Sequence, residues 1–508
     1  MSEKDKLDPS TTSHAYDVMA PRWAKMETAL GGTEAMRAAG ELYLPRHEKE
    51  TDDNYQRRLN TAVFYNVVEK TLGELVGKPF REGLQPGEDL PEQFVQDIFP
   101  DLDLQGNDAE VFAKQWFREG VAKGFAHIMV ERPRTEPRPD GTPRTLEDDR
   151  RENVRPYWVF IKPECVLFAS AETVNGRERL THVRLMESYT VREGFAEVTK
   201  PRIRILEPGT VELWEPTKQK RNGKPIWRRT DFWETGLTDI PLVTFYAERG
   251  DLMVAKPPLA DLADLNIAHW QSDADQRHIL RITRFPMLAV SGADEEDDGK
   301  KVVVGPNRIL KTSEPTGKWY YVEHTGASIT AGAADLEALE QRMSTYGSQF
   351  LQDRPGDKTA TEVAVDTANS TSVLSDWVDK FTDAFAQALQ FTAEWMKLND
   401  GGTIELSKDF HEAETDTVGI DALNAARERR DISREAYLKQ YISRGILPED
   451  FDPAADAELL AEEMSELMGA TGLDLNPGAP AGGGGPGRTP APSPSPTPSP
   501  APSPARRA

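Results

Sequence analysis

The chain has 508 residues, of which 38% are apolar and 29% charged, and its formal net charge is −24. This length allows about two to four units with cores of their own, at about 100 to 200 residues each. The acidic balance argues against a protein that wraps nucleic acid tightly, because such binding requires Lys and Arg to neutralise phosphates. Nucleic acid could still pass without being held.

Cysteine content and the first residues indicate the compartment. The single cysteine, Cys165, excludes an intrachain disulfide, and its apolar surroundings predict a buried structural thiol. The opening MSEKDKLDPS lacks the apolar core of a signal peptide, and no apolar run reaches the roughly 18 residues that a membrane span needs. We therefore expect a protein that is made and kept in the cytoplasm, with no membrane partner.

The first half predicts a helix followed by antiparallel β structure. The stretch from Phe64 to Leu75 places its apolar residues on one helical face, and Gly77 to Pro79 end that helix. From Phe125 to Tyr246, short β-rich runs alternate with Pro, Gly and Asn-Gly turns. The insert from Arg132 to Arg155 is highly charged and Pro-rich, so we interpret it as a mobile surface loop rather than a DNA-binding patch.

Two helices around a small charged block come next. The first is predicted from Pro257 to Ile282, but its segment from Gln271 to His278 is polar apart from Ala274. That segment would pack poorly in a single globule, and a helix beside copies of itself would solve the problem. The stretch from Phe285 to Thr325 predicts short strands around a charged loop, and helical spacing resumes between Leu336 and Phe350.

The longest predicted element lies between Lys358 and Asp400, where neither Pro nor Gly occurs. At about 1.5 Å per residue it would be a helix of roughly 60 Å, which suggests a large assembly. Its apolar stripe consists of Leu374, Trp377, Val378, Phe381, Phe385, Ala388, Thr392 and Trp395. Gly401 and Gly402 end the helix, TIELSKDF predicts a returning strand, and Asp421 to Met464 is again helical.

The carboxyl-terminal tail is rich in Pro, Ser and Gly from Asn476 onward. Such a composition buries too little apolar surface to offset the entropy of ordering, so we expect the tail to be disordered. A polyproline ligand for the groove of a partner is the alternative interpretation.

Catalytic and metal-binding patterns are not found. The eight His residues are scattered and no second Cys could complete a zinc site. The segment from Gly292 to Lys301 departs from a phosphate-binding loop in its spacing and carries five acidic residues. No GxSxG nucleophile motif occurs, and Glu462, Glu463 and Glu466 are interpreted as a solvated helix face. We therefore expect no cofactor, no metal and no enzymatic activity.

Several phrases of the sequence resemble the portal proteins of tailed bacteriophages, in a portal-like family first catalogued as a domain of unknown function. They are YLPRH at Tyr43 to His47, FYNVVEKTLGELVGKPF, LADLADLNIAHWQSDADQRHIL, FPMLAVSG, VVVGPNRIL and DKTATEVAVDTANSTSVLSDWV. The likeness extends from about Tyr43 to Met464. It implies an α+β portal fold with wing, stem, clip and helical crown, and a long spine helix.

The resemblance also implies a division of the chain. The expected regions are an arm at 1–42, the wing at 43–256, stem helices at 257–282 and 326–348, the clip at 283–325, the tunnel loop at 349–359, the long wing helix at 360–400, the return strand and connector at 401–430, the crown at 431–468 and the tail at 469–508.

Family members imply a ring of typically twelve copies at one capsid vertex. The expected partners are the major capsid protein, the terminase, a head-tail adaptor and double-stranded DNA that passes without sequence specificity. The expected location is the unique vertex of the virion, after assembly in the host cytoplasm. A head-to-tail contact closes into a ring when the rotation per subunit divides a full turn, and every copy then presents the same residues to the axial hole.

Two sets of residues are candidates for function in such a ring. The tunnel-loop set is Gln352, Asp353, Arg354, Asp357 and Lys358. Arg354 and Lys358 would make weak, exchangeable phosphate contacts, or they would only pair with Asp353 and Asp357 of neighbouring copies, and both alternatives stay open. The clip set, expected at the interface with the motor and the adaptor, is Asp294, Glu295, Glu296, Asp297, Asp298, Lys300 and Lys301.

The main rival interpretation is another virion structural protein, such as a head-tail connector or a capsid-associated subunit. A more distant rival is an enzyme such as a packaging nuclease or ATPase. An enzyme of that kind should contain a phosphate loop or a set of metal-binding carboxylates, and neither pattern is found.

Overall fold

The structure of the chain is a computed structural model. It describes residues 8–135, 145–221, 224–284, 287–291, 315–322, 326–349, 373–408, 410, 417–429, 431–443 and most of 451–459. The chain divides into two compact units, Met1–Phe410 and His411–Ala508. Helices and sheets both contribute to the first unit, which confirms the expected α+β class.

The amino-terminal region is helical. Its helices are α1 (His14–Leu30), α2 (Gly32–Ala39), α3 (Asp52–Thr61), α4 (Val67–Gly77) and α5 (Ala109–Lys123). Side-chain caps start several of them, because the first amide groups of a helix have no partner within it. Asn66 accepts a hydrogen bond from the Glu69 amide at 3.0 Å at the start of α4. The predicted amphipathic helix is thereby confirmed, and its apolar face is buried.

Two antiparallel sheets follow, as the alternating runs predicted. A three-stranded sheet has the order β3 (Tyr157–Ile161), β2 (Phe125–Glu131) and β9 (Leu242–Tyr246). A five-stranded meander contains β4 (Val166–Val174), β5 (Arg177–Glu193), β6 (Ala196–Glu207), β7 (Thr210–Arg221) and β8 (Lys224–Glu234). Short strands β10 (Arg249–Asp251) and β11 (Val254–Ala255) pair beside them, and β1 (Gln85–Pro86) lies earlier in the chain.

The charged insert differs from the expected surface loop. Its second half contains a short helix, α6 (Leu146–Arg151), which begins with a reciprocal capping box between Thr145 and Asp148. Asp149 on this helix pairs with Arg132 at 2.8 Å. The interpretation as a loop was therefore wrong for this half, because the capping box stabilises a short helix in spite of the charged composition. Residues 136–144 lie outside the described residues.

A helical excursion within the first unit follows β11. It consists of α7 (Ala260–Thr283), β12 (Met287–Ser291), β13 (Lys318–Val322) and α8 (Ala327–Gln349). The α7 helix begins at Ala260, whose amide donates to the Pro257 carbonyl at 3.0 Å. Among the described side chains of α8, Leu339 and Met343 are buried while Leu336 and Tyr346 are half-buried, in agreement with the predicted stripe.

Helix α9 (Val373–Met396) carries the aromatic centre of the core. Phe381 lies 5.0 Å from Trp116 and 5.2 Å from Phe245, and Phe385 lies 4.7 Å from Trp158, measured between ring centroids. The predicted apolar stripe is confirmed over this range, since all its members are buried except the half-buried Trp395.

The end of α9 differs from the prediction. The helix stops at Met396 rather than at the glycines, because Lys397 adopts the left-handed conformation with φ of 60°. Its 24 described residues correspond to about 36 Å. The other part of the predicted spine, residues 358–372, lies outside the described residues, so its continuity stays a prediction. The returning strand β14 (Ile404–Glu405) is present and pairs with β1.

The second unit contains α10 (Thr417–Glu428) and α11 (Arg434–Ser443) in its described part. The hydroxyls of Tyr437 and Tyr441 both contact Asn424 Oδ1, at 2.7 and 2.9 Å, and connect the two helices. Helical structure was predicted here, and it begins four residues earlier than expected. Residues 461–508, including the Pro-rich tail, lie outside the described residues.

Candidate functional site

The helical excursion is a hairpin in which α7 and α8 run antiparallel. Four polar contacts between the two helices define its register. They are Tyr346 to Asp261 at 3.4 Å, His269 to Glu340 at 3.3 Å, Ser272 to Asp335 at 2.8 Å and Gln276 to the Ile329 carbonyl at 2.8 Å. Since residue numbers on one helix rise as those on the other fall, the helices stay side by side over more than half their length.

The strand pair continues this register beyond the helices. β12 and β13 are antiparallel, from Met287 opposite Val322 to Ser291 opposite Lys318. The helices extend about 36 Å at 1.5 Å per residue, and the strands add about 17 Å of chain. The short strands expected in this block are therefore present.

The base of the hairpin is fixed to the start of α4 and the residues just before it by buried polar and aromatic contacts. The fully buried Asn266 accepts a hydrogen bond from the Val67 amide at 3.0 Å and donates to the Tyr65 carbonyl at 2.8 Å. Trp270 packs against Phe64, with 6.5 Å between ring centroids. A buried amide with both functions satisfied fixes position more strictly than an apolar contact, because hydrogen bonds are directional.

The polar segment of α7 is accommodated within a single chain, contrary to the expectation of poor packing. Gln271 donates to the Tyr43 carbonyl at 2.6 Å, and Asp275 Oδ1 contacts His47 Nε2 at 3.0 Å. Arg58 also donates to Asp275 Oδ1, at 3.2 Å. The expectation was wrong because polar partners from the segment around Tyr43 and from α3 meet this face of the helix.

Arg58 is the centre of this clamp, which we define as Arg58, Glu50, Asp275 and His47. The Arg58 side chain is only 2% exposed, and it donates to both Glu50 oxygens at 2.8 and 3.0 Å and to the Pro45 carbonyl at 2.8 Å. The hydrogen bonds from Arg58 hold the pKa of Glu50 below its usual value. The two-point ion pair with Glu50 orients Arg58, and the single bond from Arg58 to Asp275 connects α3 to α7.

The predicted site residues lie outside the described part of the chain. This applies to the tunnel-loop set, Gln352, Asp353, Arg354, Asp357 and Lys358, and to the clip set, Asp294, Glu295, Glu296, Asp297, Asp298, Lys300 and Lys301. Both sets therefore stay predictions. Sequence reasoning missed the clamp, and the polar residues Gln271 and Asp275 on an otherwise core-facing helix were its one visible signal.

Other polar clusters in the described residues are structural in character. His127 is fully buried, its Nδ1 lies 2.8 Å from the Thr244 hydroxyl, and burial lowers its pKa to about 3. In a cleft of about 200 Å³, Arg204 pairs with Glu131 and with Glu187. The described residues contain no group of three or more His, Cys, Asp or Glu that could hold a metal ion.

Two other expectations concern the burial of Cys165 and the presence of membrane-spanning helices. Cys165 is free and half-buried rather than fully buried, and burial raises the pKa of its thiol. A raised pKa disfavours the reactive thiolate, which agrees with a structural role. Among the helices of the described residues, none is long and apolar enough to cross a membrane.

The fold and this site define an α+β chain from which a helical hairpin projects. A family model described as a domain of unknown function, DUF4055, matches residues 258–396, from the start of the hairpin to the end of α9. No curated protein matches the chain.

Three solved structures are distantly similar to this chain. One is a chain from the virion of a native gene transfer agent particle, with a TM-score of 0.37 and 12% identity. The alignment covers 82% of this chain and 99% of that chain. A chain from the neck of an empty gene transfer agent particle, computed with C6 symmetry, has a TM-score of 0.38 and 14% identity. The alignment covers 82% of this chain and 98% of that chain. A chain from the neck of a native gene transfer agent particle, computed with C12 symmetry, has a TM-score of 0.36 and 11% identity. The alignment covers 81% of this chain and 99% of that chain.

Proposed function

We propose that this chain is the portal subunit of a tailed phage, a ring-forming conduit for DNA at one vertex of the capsid. The proposal is supported by sequence similarity and by the form of the hairpin. The sequence phrases that resemble portal proteins extend through the hairpin and α9, and the DUF4055 model matches the same segment, residues 258–396. The α7–α8 hairpin also has the form that the resemblance implies for a stem.

The observation that carries the proposal is the lack of a core in the outer half of the hairpin. Beyond Gln276 on α7, and before Leu339 on α8, no described side chain is buried. The apolar residues Ile279 and Leu280 lie there half-buried. Two helices without a buried face gain too little from packing to be stable alone, so contacts from other copies would have to complete this half.

A ring satisfies this requirement with a single repeated contact. In a head-to-tail arrangement, each hairpin packs between its two neighbours, and the hole along the axis is lined by equivalent residues from every copy. In this proposal the ring has about twelve copies, double-stranded DNA passes through it, and the terminase and head-tail adaptor dock at the clip. The Arg354 and Lys358 side chains would then lie near the constriction.

Electron microscopy of the purified full-length chain tests the ring. We expect end views with a central hole, whereas monomers at high concentration or closed shells would contradict the proposal. The hairpin contact is tested by L280E, which places a charge in the half-buried outer segment and should raise the concentration needed for rings at least tenfold.

A matched variant separates this effect from a general loss of stability. Val111 on α5 is 51% exposed, so V111E adds the same charge to a helix outside the hairpin. It should assemble as the unchanged protein does. Equal ring formation by L280E and V111E would show that the outer half of the hairpin does not mediate assembly.

A further inference from the structure

Charge is segregated along α7. From Ala260 to Asp275 the helix carries four Asp residues and neither Lys nor Arg. From residue 276 to 284 it carries Arg277, Arg281 and Arg284 and no acidic residue. In a chain with a net charge of −24, a basic segment without any acidic residue stands apart from its background.

The three arginines lie on one face of the helix end. Their spacing of four and three residues places them one above the other, and they span about 10 Å along the axis. All three are exposed, and we call them the arginine face. Arg277 Nε bonds to Asp273 Oδ2 at 2.6 Å, whereas Arg281 and Arg284 form no ion pair with any residue in the described ranges.

Among the described residues, those of the partner helix form no ion pair with this face. In the hairpin register Gln276 lies opposite Ile329, and the described residues just before Ile329, at 326–328, carry no acidic side chain. The acidic groups of α8 stand nearer the base, where Asp335 bonds to Ser272 and Glu340 to His269. Arg281 and Arg284 are exposed and form no ion pair within the described ranges, so an external anion can reach their guanidinium groups.

The helix dipole offers a simpler explanation for part of this pattern. Cations near the carboxyl end of a helix are stabilised by about 0.3 to 1 kcal/mol each, and the effect fades within the last turn. It accounts for Arg281 and Arg284 but not for Arg277, which stands further in. Nor does it require the three residues to share one exposed face.

Building on the portal role, we infer that the arginine face contacts the phosphates of double-stranded DNA that passes along the hairpin. Its span of about 10 Å matches about three successive phosphates of one strand. Guanidinium groups bind phosphate oxygens in a two-point geometry, and a ring repeats the face around its axis. With few contacts per copy on an acidic protein, the DNA is guided rather than held.

The test uses the full-length assembled protein and a short fluorescent DNA duplex. The variant R277Q/R281Q/R284Q removes the face, and R57Q/R81Q/R228Q removes the same charge from exposed positions outside the hairpin. Duplex binding is measured by anisotropy between about 50 and 200 mM salt. We expect the hairpin variant to bind at least tenfold more weakly and its salt dependence to fall by about 0.9 per lost contact.

The conservative variant R277K/R281K/R284K keeps the charge and the helix-end effect, and it should keep the salt dependence. Electron microscopy of the same samples separates the possible failures. If the unchanged protein forms no rings, the portal role fails. If rings form but the unchanged protein does not bind the duplex, or the hairpin variant binds it equally well, the arginine-face inference is overturned and the ring stands.

Two further results would also overturn the DNA contact. An equal loss of binding in R57Q/R81Q/R228Q would mean that general charge, and not this face, attracts the duplex. Loss of rings in the hairpin variant, with rings retained in R57Q/R81Q/R228Q, would mean that the arginine face contacts a neighbouring copy instead.

Discussion

Two glycines inside helices should respond in opposite ways to the same substitution. Gly73 lies within α4 and Gly120 within α5, and replacing a helical glycine by alanine normally stabilises a protein by about 0.5 to 1 kcal/mol. A methyl group added at Gly73 would meet no atom within 4 Å. G73A should therefore raise the free energy of unfolding by about that amount.

At Gly120 the same methyl group has no room. It would stand 2.3 Å from Cδ1 and 2.5 Å from Cε1 of Phe245, far inside contact distance. That ring is stacked on Phe117 at 5.5 Å and meets Phe381 edge-on at 5.2 Å, so it cannot move without disturbing the core. Overpacking costs about 1 to 3 kcal/mol. Taking the upper end and subtracting the helix gain leaves a net loss of about 2 kcal/mol for G120A.

Urea unfolding followed by tryptophan fluorescence measures both variants, since Trp116 lies 5.0 Å from Phe381 in the affected core. The midpoint of G73A should rise and that of G120A should fall, at a similar slope. A G120A protein as stable as the unchanged protein would refute the packing reasoning. A G73A protein that loses about 1 kcal/mol or more would refute the assignment of Gly73 to open space.

The clamp and the buried histidine give two further expectations. R58M should lower stability by about 3 kcal/mol, because it leaves the 6% exposed Glu50 side chain without its partner. We take the lower end of the range for such losses since Asp275 opens to solvent. Adding E50Q to R58M should recover part of the loss in urea titrations, and strictly additive losses would contradict the pairing. The His127 pKa of about 3 lies below its value near 6.5 in the unfolded chain, so the unfolded state binds the proton first. Stability should fall as pH drops from about 6.5 towards 3, by up to about 1.4 kcal/mol per pH unit, and H127Q should flatten this profile; an unchanged profile would exclude His127 as its cause.

Periodic elements were predictable because their signal is local. The apolar face of α4 and the stripe of α9 repeat every three to four residues, and both face the core as expected. The alternating runs between Phe125 and Tyr246 likewise predicted antiparallel strands, which form two sheets. Burial of one face is the main force that holds such elements in place, so a sequence that carries the period also specifies the element.

The ends of helices and the polar contacts between distant segments were less predictable. The α9 helix ends at Met396 because of a left-handed residue, not at the glycines that the sequence offered as a stop. The segment from Gln271 to His278 looked unsuited to a single chain, yet Tyr43, His47 and Arg58 supply its partners. Arg58 and Asp275 are 217 residues apart, so no local pattern could pair them.

The sequence by itself determined the strongly periodic helices and strands, the α+β class and the resemblance to portal proteins. The tertiary structure alone decided which of two helical glycines is packed against a ring, which polar residues clamp α7, and where the hairpin lacks a core. The physical reason is range: periodicity and capping act over a few residues, whereas burial and ion pairing depend on segments that meet only when the chain is folded.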